Sequence, residues 1–539
     1  MAQQKSEGST VGLSGTNLTT GARGHDRGAA SAPTLTILYH PELRRIGDLV
    51  RLGQLPLGHE VAVSRYHPEL ARPGQILGEP LADSHISRRP FQLRPLDGDG
   101  VELALGDSRT GVVAQGISVL PSASFPAEEI ERGVVLELAA RIVLLLHHAP
   151  GLPAHLPPRF GLIGDSAGIV RVRSEIERVA DLGVPVLLRG ETGTGKELVA
   201  RAIHEASPRR NAAFLGVNLG AIAPSLSASE LFGSVKGAYT GAVSHQEGYF
   251  RRAHGGTLFL DEIGEAPAEV QVMLLRALET GEVFPVGAQV PQRVDVRVIA
   301  ATDADLEGKV RAGSFRGPLL HRLSGYEILL PPLRERRDDV GRLLLHFLRA
   351  ELARIGEAGR LDPADAAHDP LWLRPRLVAR LARYHWPGNV RQLRNVARQL
   401  VIGSRGLPHL ETGPQVERLL RDEPSGADSA PAAEPSAAAE PRASREWRKP
   451  TEISQEELLA ALRLNRWDLK ATSEHLRVSR TSLYALVDSS PRVRTAADLT
   501  AEEIARSFRE CGGDLEAMVE RLEVSKRALG RRLRELGLA

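Results

Sequence analysis

Gly190-Glu191-Thr192-Gly193-Thr194-Gly195-Lys196-Glu197 lies in the central part of this 539-residue chain and indicates how that part folds. The apolar run VPVLL from Val184 precedes it, and KELVARAIHEAS from Lys196 has the periodicity of a helix. Glycines at this spacing let backbone N–H groups turn toward an anion, and the helix directs its N-terminus at the same point. Lys196 then reaches the β- and γ-phosphates of a nucleotide. A chance glycine-rich turn is the alternative, but the flanking strand and helix favour an ATP-binding P-loop.

Two carboxylates, Asp261 and Glu262, follow the apolar run GTLFL from Gly256. Acidic groups at the end of a buried strand are costly unless they are used. Beside a P-loop, we expect Asp261 to hold Mg²⁺ through water and Glu262 to orient and deprotonate the attacking water. An exposed acidic turn is the alternative. Glu197 departs from the general P-loop pattern, in which Ser or Thr contacts Mg²⁺.

Strands alternate with helices through residues 161–333, which predicts an α/β fold with a parallel sheet. A helix from Glu269 is followed by the apolar strand VDVRVIAATD from Val294. Residues 334–404 have a helical pattern, which we interpret as a lid. The fold class predicted for the whole chain is therefore multidomain, with this α/β P-loop ATPase and its helical lid at the centre.

The composition excludes several classes of protein. The net charge is +2, from 69 basic and 67 acidic residues, so any DNA-binding surface must be local. A single cysteine, Cys511, excludes an intramolecular disulfide or a cysteine metal cluster. Apolar runs fall short of the ~18 residues that span a bilayer, and the N-terminus lacks a signal-peptide h-region. We expect a cytoplasmic protein with no membrane partner.

The two ends of the chain differ from its centre. Residues 1–33, rich in Gly, Ser and Thr, are expected to form a disordered leader. Short apolar runs separated by turn residues predict an all-β sandwich in residues 34–148. Residues 405–450, which become rich in Ala, Pro, Ser and Glu, are interpreted as a linker.

The C-terminal segment is helical and repeats. With a shift of 46 residues, Asp468-Leu469 falls on Asp514-Leu515, and Leu476–Arg480 falls on Leu522–Lys526. We place one copy of this short helical unit in residues 452–488 and the other in residues 496–539.

Further motifs make the central part recognisable. These are Glu230-Leu231-Phe232-Gly233, the loop Gly237-Ala238-Tyr239-Thr240-Gly241-Ala242, LPPLRERRDDV from Leu330 and WPGNVRQLRN from Trp386. With the P-loop, they resemble the AAA+ domain of sigma-54-dependent transcriptional activators, the bacterial enhancer-binding proteins, over residues 161–403. The resemblance implies ATP and Mg²⁺ as cofactors, a ring oligomer that is a hexamer, and sigma-54 RNA polymerase as partner.

In that family, the loop Gly237–Ala242 contacts sigma-54 and transmits the movement driven by ATP. Tyr239 stands where the family has Phe, which keeps the aromatic face and adds a hydroxyl. Ser234-Val235 departs from the family's His-Glu. A glycine-rich surface turn is the alternative interpretation of this loop.

The resemblance also implies roles for residues outside the P-loop. Asn218 matches the asparagine that holds the catalytic glutamate back, and Arg391 matches the lid arginine that senses nucleotide. Arg316 and Arg322 match arginine fingers that reach the γ-phosphate of a neighbouring subunit. Two solvated arginines on a helix are the alternative, and Gly317-Pro318 replaces the family's acidic pair, so the helix is expected to start differently.

The first nucleotide sensor of the family follows the third core strand, where this chain has Thr302-Asp303 instead of Thr-Asn. A carboxylate near the γ-phosphate repels it unless the carboxylate is protonated or turned away. This departure puts the rate of hydrolysis in question, but not the fold.

The C-terminal repeat resembles a Fis-type helix-turn-helix. Ser479 caps the recognition helix, which leaves Arg480, Thr481 and Tyr484 toward the DNA groove or its phosphates. The second copy supplies Lys526, Arg527 and Arg531. We expect binding to double-stranded DNA at upstream enhancer sites. A plain helical hairpin is the alternative to a helix-turn-helix. For the second copy, two further alternatives are that it is degenerate or that it forms a dimer contact.

The N-terminal sandwich resembles a forkhead-associated (FHA) domain, which binds phosphothreonine peptides. The resemblance rests on DSHISRR from Asp83, with its Ser87-Arg88 pair, and on GDSRTG from Gly106. His59, Pro90 and Thr110 stand where the family has Arg, His and Asn. We therefore expect weak phosphothreonine binding or none. The partners implied are a phosphoprotein or Ser/Thr kinase, with a sandwich used only for packing or protein contact as the alternative.

These features together predict an ATP-hydrolysing activator that binds DNA upstream of a promoter and remodels the closed complex of sigma-54 RNA polymerase. The alternative is a DNA-binding regulator or repressor that keeps an AAA+ fold but hydrolyses ATP poorly. Asp303 and Ser234-Val235 favour the alternative, whereas Lys196, Asp261-Glu262 and the glycine-flanked loop oppose it. A metabolic P-loop kinase does not account for the doubled helical repeat.

Overall fold

A computed structural model of the chain describes residues 31–151, 153, 155–238, 245–361 and 372–421, and, with gaps, residues 453–536. The chain divides into two compact units, residues 1–428 and 429–539. Each unit is described separately below. In the part of the chain that is described, no helix has the length and apolar character needed to cross a membrane.

Residues 31–149, named here the two-sheet region, form two antiparallel sheets. Six strands form one sheet in the order β2-β1-β10-β9-β6-β7, and four form the other in the order β3-β4-β5-β8. The strands are β1 (Ala32–Tyr39), β2 (Leu49–Arg51), β3 (Val61–Val63), β4 (Phe91–Leu96), β5 (Gly100–Ala104), β6 (Val112–Ala114), β7 (Ile117–Ser118), β8 (Ser122–Phe125), β9 (Val134–Leu138) and β10 (Ile142–Ala149). A short helix, α1 (Ala127–Arg132), precedes β9. The predicted leader ends too late, because Ala32 is already paired with Ala149.

One face of the six-stranded sheet packs against the four-stranded sheet. Leu144 and Leu146 of β10 join Leu93 and Leu103 in this core. The neighbouring residues Val143 and Leu145 point to the opposite face, since side chains alternate along a strand. That face is buried too, which explains the uninterrupted apolar sequence of β10.

The central part is a five-stranded parallel sheet in the order β12-β13-β16-β11-β17, as the alternation of strands and helices predicts. Its strands are β11 (Val186–Arg189), β12 (Phe214–Asn218), β13 (Thr257–Asp261), β16 (Arg297–Thr302) and β17 (Tyr326–Leu329), with a side hairpin of β14 (Glu282–Val283) and β15 (Gln292–Arg293). The helices are α2 (Ala167–Val179), α3 (Lys196–Glu205), α4 (Pro224–Phe232), α5 (Tyr249–Arg252), α6 (Ala268–Thr280), α7 (Leu306–Arg311) and α8 (Gly317–Leu323). Because the strands are parallel, their carboxyl ends meet at one edge, where the candidate site lies.

The lid consists of α9 (Val340–Arg354), α10 (Pro375–Arg383), α11 (Asn389–Gly403) and α12 (Pro414–Arg421). The last helix corrects the predicted linker, which begins too early at residue 405. Val416 is buried in the lid core, and Glu417 accepts two hydrogen bonds from Arg380, at 2.8 and 3.0 Å. The lid therefore extends to Arg421, and residues 422–450 lie outside the described part of the chain.

The lid packs on the outer face of the six-stranded sheet. Val143 and Leu145 belong to the same apolar cluster as Leu344 and Val378 of the lid. A methyl group at Gly341 in α9 would collide with the carbonyl oxygen of Leu38, so only glycine permits this approach. The two-sheet region and the lid thus share one continuous core.

A polar cluster borders this shared core. Arg342 donates to the carbonyl oxygen of Ile46 at 3.1 Å and also pairs with Asp165. Asp339 accepts from the backbone N–H of Asp165 at 2.6 Å and from the hydroxyl of Ser166 at 2.6 Å. The segment that leaves the two-sheet region is thereby fastened to the start of α9.

The C-terminal unit contains α13 (Gln455–Leu464), α14 (Leu469–Leu476), α15 (Ala501–Glu510) and α16 (Leu515–Leu522). The repeat predicted from sequence is also present at the helix N-caps. Ser454 and Thr500 are 46 residues apart, and the side chain of each accepts a hydrogen bond from the backbone N–H of the residue three positions further on. The repeat also recurs in the core, where the pairs Leu458 and Ile504, Val478 and Val524, and Leu483 and Leu529 are buried.

Candidate nucleotide site

The P-loop joins the end of β11 to the start of α3, as its sequence predicts. Gly190, Gly193 and Gly195 have φ angles of +156°, +82° and +107°, which side-chain-bearing residues rarely adopt. Thr194 is buried, and its hydroxyl donates to the carbonyl oxygen of Glu191 at 2.8 Å. The backbone of the P-loop therefore curves around a central point, and the N-terminus of α3 is directed at that point.

Lys196 lies at the centre of the site. Its Nζ donates to the carbonyl oxygens of Gly190 and Glu191 at 2.7 and 3.2 Å. Burial lowers the pKa of Lys196, while attraction to three carboxylates opposes that shift, and Arg391 adds to it. The carboxylates are those of Asp303, Asp261 and Glu262. Arg391 is also at the P-loop, where its backbone N–H donates to the carbonyl oxygen of Gly193 at 3.3 Å.

Asp261 and Glu262 stand where the sequence predicts them, at the carboxyl end of β13. The backbone N–H of Glu262 donates to Asp261 Oδ1 at 3.0 Å. Glu262 has a φ of 54°, a left-handed conformation that costs energy for a non-glycine residue and is typical of functional sites. Asp261 is paired in register with Asn218 of β12.

Asn218 and Glu262 approach each other beside Gly220. A methyl group at Gly220 would overlap Glu262 Oε2 and would lie 3.3 Å from Asn218 Oδ1. Asn218 Oδ1 accepts from the backbone N–H of Ala221 at 3.1 Å, which fixes the side chain. The pair that the resemblance implies is therefore adjacent in the fold.

Two predicted nucleotide contacts are turned to other partners. Glu197 is exposed and lies 3.8 Å from Arg201 on the next turn of α3. Thr302 is buried, and its hydroxyl accepts from the backbone N–H of Ala304 at 3.0 Å, so it shapes the turn after β16.

The lid contacts the P-loop directly, which the sequence does not reveal. Arg334 donates two hydrogen bonds to the carboxylate of Glu191, at 2.8 and 2.6 Å, and lowers the pKa of that carboxyl. Asn389 donates to Glu191 Oε2 and to the carbonyl oxygen of Thr192, both at 3.1 Å, and accepts from the backbone N–H of Leu333 at 2.8 Å. The motifs LPPLRERRDDV and WPGNVRQLRN therefore supply the lid residues that hold the P-loop.

Arg316 and Arg322 lie at opposite ends of α8. Arg316 is the N-cap residue, outside the helix, as expected from the Gly317-Pro318 start. Its backbone N–H donates to Gln271 Oε1 at 2.9 Å, while its side chain is exposed. Arg322 is also exposed and lies 3.5 Å from Glu279. Both side chains are therefore open to solvent in the single chain.

The loop predicted to contact sigma-54 has an ordered stem. The backbones of Ser234 and Gln246 exchange hydrogen bonds of 3.0 Å each, which close the loop at its base. Ser234 is buried, and Val235 donates to the carbonyl oxygen of Val286 at 3.1 Å. Gly237 and Ala238 are described, whereas Tyr239, Thr240, Gly241 and Ala242 lie outside the described residues.

The sequence matches known proteins over this central part. Residues 162–329 match the sigma-54 interaction domain family, and residues 334–412 match the AAA+ ATPase lid domain family. The DNA-binding transcriptional regulator NtrC of Escherichia coli (strain K12) is 46% identical over 249 residues, which are 46% of this chain and 51% of that protein. The nitric oxide reductase transcription regulator NorR1 of Cupriavidus necator is 41% identical over 328 residues, which are 59% of this chain and 60% of that protein.

A solved structure of NtrX from Brucella abortus in complex with ATP is 30% identical and covers 70% of this chain and 69% of that one, with a TM-score of 0.42. The chain thus spans between about half and three fifths of the length of the two curated relatives, 51% and 60%.

Proposed function

We propose that this chain is an ATP-dependent activator of sigma-54 RNA polymerase. Its residues 162–329 match the sigma-54 interaction domain family, and its residues 334–412 match the AAA+ ATPase lid domain family. The observation that carries the proposal is that the P-loop with Lys196 follows β11 and that Asp261 and Glu262 end β13, so all three lie at the carboxyl edge of one parallel sheet. In the same domain, a loop is closed at Ser234 and Gln246. Hydrolysis of ATP at the nucleotide site moves this loop against sigma-54 and thereby remodels the closed promoter complex. Since its partners are polymerase and DNA, the protein acts in the cytoplasm.

The residues of the site fit ATP with Mg²⁺. The P-loop N–H groups and Lys196 bind the phosphates, and Asp261 holds Mg²⁺ through water. Glu262 accepts a proton from the attacking water, and Asn218 controls its orientation. Mg²⁺ neutralises phosphate charge, while the lid, through Arg391, responds to which nucleotide is present.

We infer that the active form is a ring, with a hexamer as the expected size. The support is that the side chains of Arg316 and Arg322 are both exposed, and that Arg322 lies 3.5 Å from Glu279 of α6. Each then completes the site of a neighbouring subunit by neutralising charge that develops on the γ-phosphate.

Arg316→Ala and Arg322→Ala are each expected to lower ATP hydrolysis by about 10³-fold, the low end of the contribution of an arginine finger. Mixing either variant with Glu262→Gln protein should restore part of the activity, because mixed rings contain some complete composite sites. ATPase assays at fixed total protein and varied ratio measure this recovery. Arg311→Ala, which removes an exposed arginine 3.5 Å from Asp305, is the matched control. No recovery at any ratio, with subunit exchange demonstrated, would show that neither arginine acts in trans.

We propose that the C-terminal repeat binds DNA upstream of the promoter as a doubled Fis-type helix-turn-helix. The support is the recurrence of caps and buried positions in both copies. Its candidate DNA contacts lie outside the described residues, namely Ser479, Arg480, Thr481, Tyr484, Lys526, Arg527 and Arg531. The local excess of arginine and lysine supports contact with phosphates.

We propose that the two-sheet region is an FHA-like domain with a weakened phosphate site. Thr110, which stands where the family has Asn, is buried and accepts from the backbone N–H of Ser87 at 2.9 Å. Ser87 accepts in turn from the backbone N–H of Arg89 at 3.1 Å. These bonds shape the loop that presents Arg88 to solvent, but His59 replaces a second cation. The region then acts chiefly through its contact with the lid.

Titration of the full-length chain with phosphothreonine and unphosphorylated peptide libraries at pH 7.5 is expected to show weak binding or none. Charge-assisted bonds carry phosphate recognition, and this site has lost an expected arginine. Fluorescence anisotropy of labelled peptides is the measurement. Tight binding that requires the phosphate, disappears in Arg88→Ala and survives in the control Arg94→Ala would overturn the expectation.

A second candidate function is a DNA-binding regulator or repressor with weak ATPase activity. Asp303 favours it, because its carboxylate lies at the P-loop. Open-complex formation on a sigma-54 promoter with purified full-length protein, sigma-54 polymerase and ATP decides between the two. The activator proposal requires open complexes that depend on ATP and are absent with Lys196→Ala. Promoter DNA binding without ATP turnover or open complexes would support the regulator instead.

A further inference from the structure

Asp303 follows the last residue of β16, the strand beside β11, and its carboxylate is hydrogen-bonded to the P-loop. The Thr192 hydroxyl donates to Asp303 Oδ2 at 2.5 Å. Two further hydrogen bonds hold Thr302, the residue that precedes Asp303. Gly190 N–H donates to the carbonyl oxygen of Thr302 at 3.3 Å, and Ala304 N–H donates to the Thr302 hydroxyl at 3.0 Å. The carboxylate is therefore held at the loop rather than turned away from it.

The charge of Asp303 acts on the phosphate-binding lysine. Its attraction raises the pKa of Lys196 against the larger effect of burial, as do Asp261 and Glu262. In the proposed hydrolysis, Asp261 holds Mg²⁺ and Glu262 accepts a proton from the attacking water. Asp303 is a third carboxylate, and it is attached to the loop that must receive a polyanion.

We infer that Asp303 sets the affinity of the site and discriminates between nucleoside triphosphate and diphosphate by charge. Its carboxylate holds Thr192 when the loop is empty and repels the phosphates when the loop is filled. A triphosphate carries more charge than a diphosphate, so it is penalised more. This inference rests on the proposed nucleotide site and makes Asp303 a residue that determines specificity.

The expected size of the effect follows from Coulomb's law. Unit charges about 8 Å apart at an effective dielectric constant of roughly 20 to 40 change an equilibrium constant by roughly five- to thirtyfold. Removal of the charge at Asp303 should therefore strengthen triphosphate binding within that range and diphosphate binding by less.

Two substitutions separate the charge from the hydrogen bond. Asp303→Asn removes the charge, but its amide oxygen still accepts from Thr192. Thr192→Val removes the donor and leaves the carboxylate charged. Both side chains are exposed, so neither change disturbs a buried core. Thermal unfolding of each full-length variant without nucleotide verifies that the fold is retained.

Isothermal titration of the full-length variants with Mg-ADP and with the non-hydrolysable Mg-AMPPNP tests the inference. We expect Asp303→Asn to tighten AMPPNP binding roughly five- to thirtyfold and ADP binding less, so that their ratio changes. Thr192→Val should shift both nucleotides by the same factor. Equal shifts of the two nucleotides in Asp303→Asn would overturn discrimination by charge. Weaker AMPPNP binding would overturn it too. Wild-type protein that binds neither nucleotide would instead contradict the ATPase proposal itself.

Discussion

Replacement of Glu262 by Gln is expected to preserve ATP binding and to slow hydrolysis by about 10²–10⁴-fold, the contribution of a positioned general base. Gln has nearly the same shape and occupies the same left-handed backbone position, at a φ of 54°. It cannot accept a proton from water. The neighbouring Asp261, which is proposed to hold Mg²⁺, is unchanged, so nucleotide affinity should persist.

Two measurements check this result, namely equilibrium binding of ATP and steady-state release of phosphate. Glu265→Gln is the matched control, because Glu265 is on the same turn and pairs with Lys309 at 2.9 Å. That variant should hydrolyse ATP like the wild-type protein. If Glu262→Gln also does so, the assignment of Glu262 as the base is wrong.

Replacement of Thr240 by Ala is expected to abolish open-complex formation while leaving most ATP hydrolysis intact. The stem of its loop contacts Val286 and Glu230, whereas the P-loop contacts Arg334, Asn389 and Asp303. The two sets share no residue, so a change at the loop tip need not reach the nucleotide. ATP should therefore still be hydrolysed, but its hydrolysis should no longer produce open complexes.

Open-complex formation and phosphate release, measured on the same preparation, test this uncoupling. Thr280→Ala is a suitable control, since the Thr280 hydroxyl donates to the Arg276 carbonyl oxygen at 3.0 Å and accepts from the backbone N–H of Glu282 at 3.2 Å, away from both the loop stem and the P-loop contacts named above. Sizing by light scattering establishes whether the ring persists. Equal loss of both activities in an intact oligomer would contradict a dedicated contact loop.

Local pattern was sufficient to predict the core of the fold. Strong apolar runs gave β11, β13 and β16, and the P-loop located α3 at Lys196. Two strands of the same sheet, β12 and β17, were not predicted. Phe214–Asn218 contains a glycine and has only one buried residue, and Tyr326–Leu329 is half exposed at the sheet edge. Their pairing with stronger neighbours, rather than their own sequence, makes them strands.

The candidate site was predictable where its residues are close in sequence. Lys196 follows directly from the glycines, and Asp261-Glu262 from the strand they end. The partners of Glu191 were not predictable, because Arg334 and Asn389 lie 143 and 198 residues further along the chain. Only the docking of the lid on the P-loop brings them together. The position of Asp303 likewise depends on β16 lying beside β11.

The glycine at position 341 has a bearing on how such a chain can diversify. A sensory module joined by a tether can be exchanged by recombination, since its replacement needs only a compatible join. Here α9 approaches the backbone of β1 too closely for a side chain, and both faces of β10 are covered. An incoming module would have to reproduce the surface that the lid already matches. The two-sheet region and the lid are therefore expected to be inherited as a pair, with changes on one side of their contact answered by changes on the other.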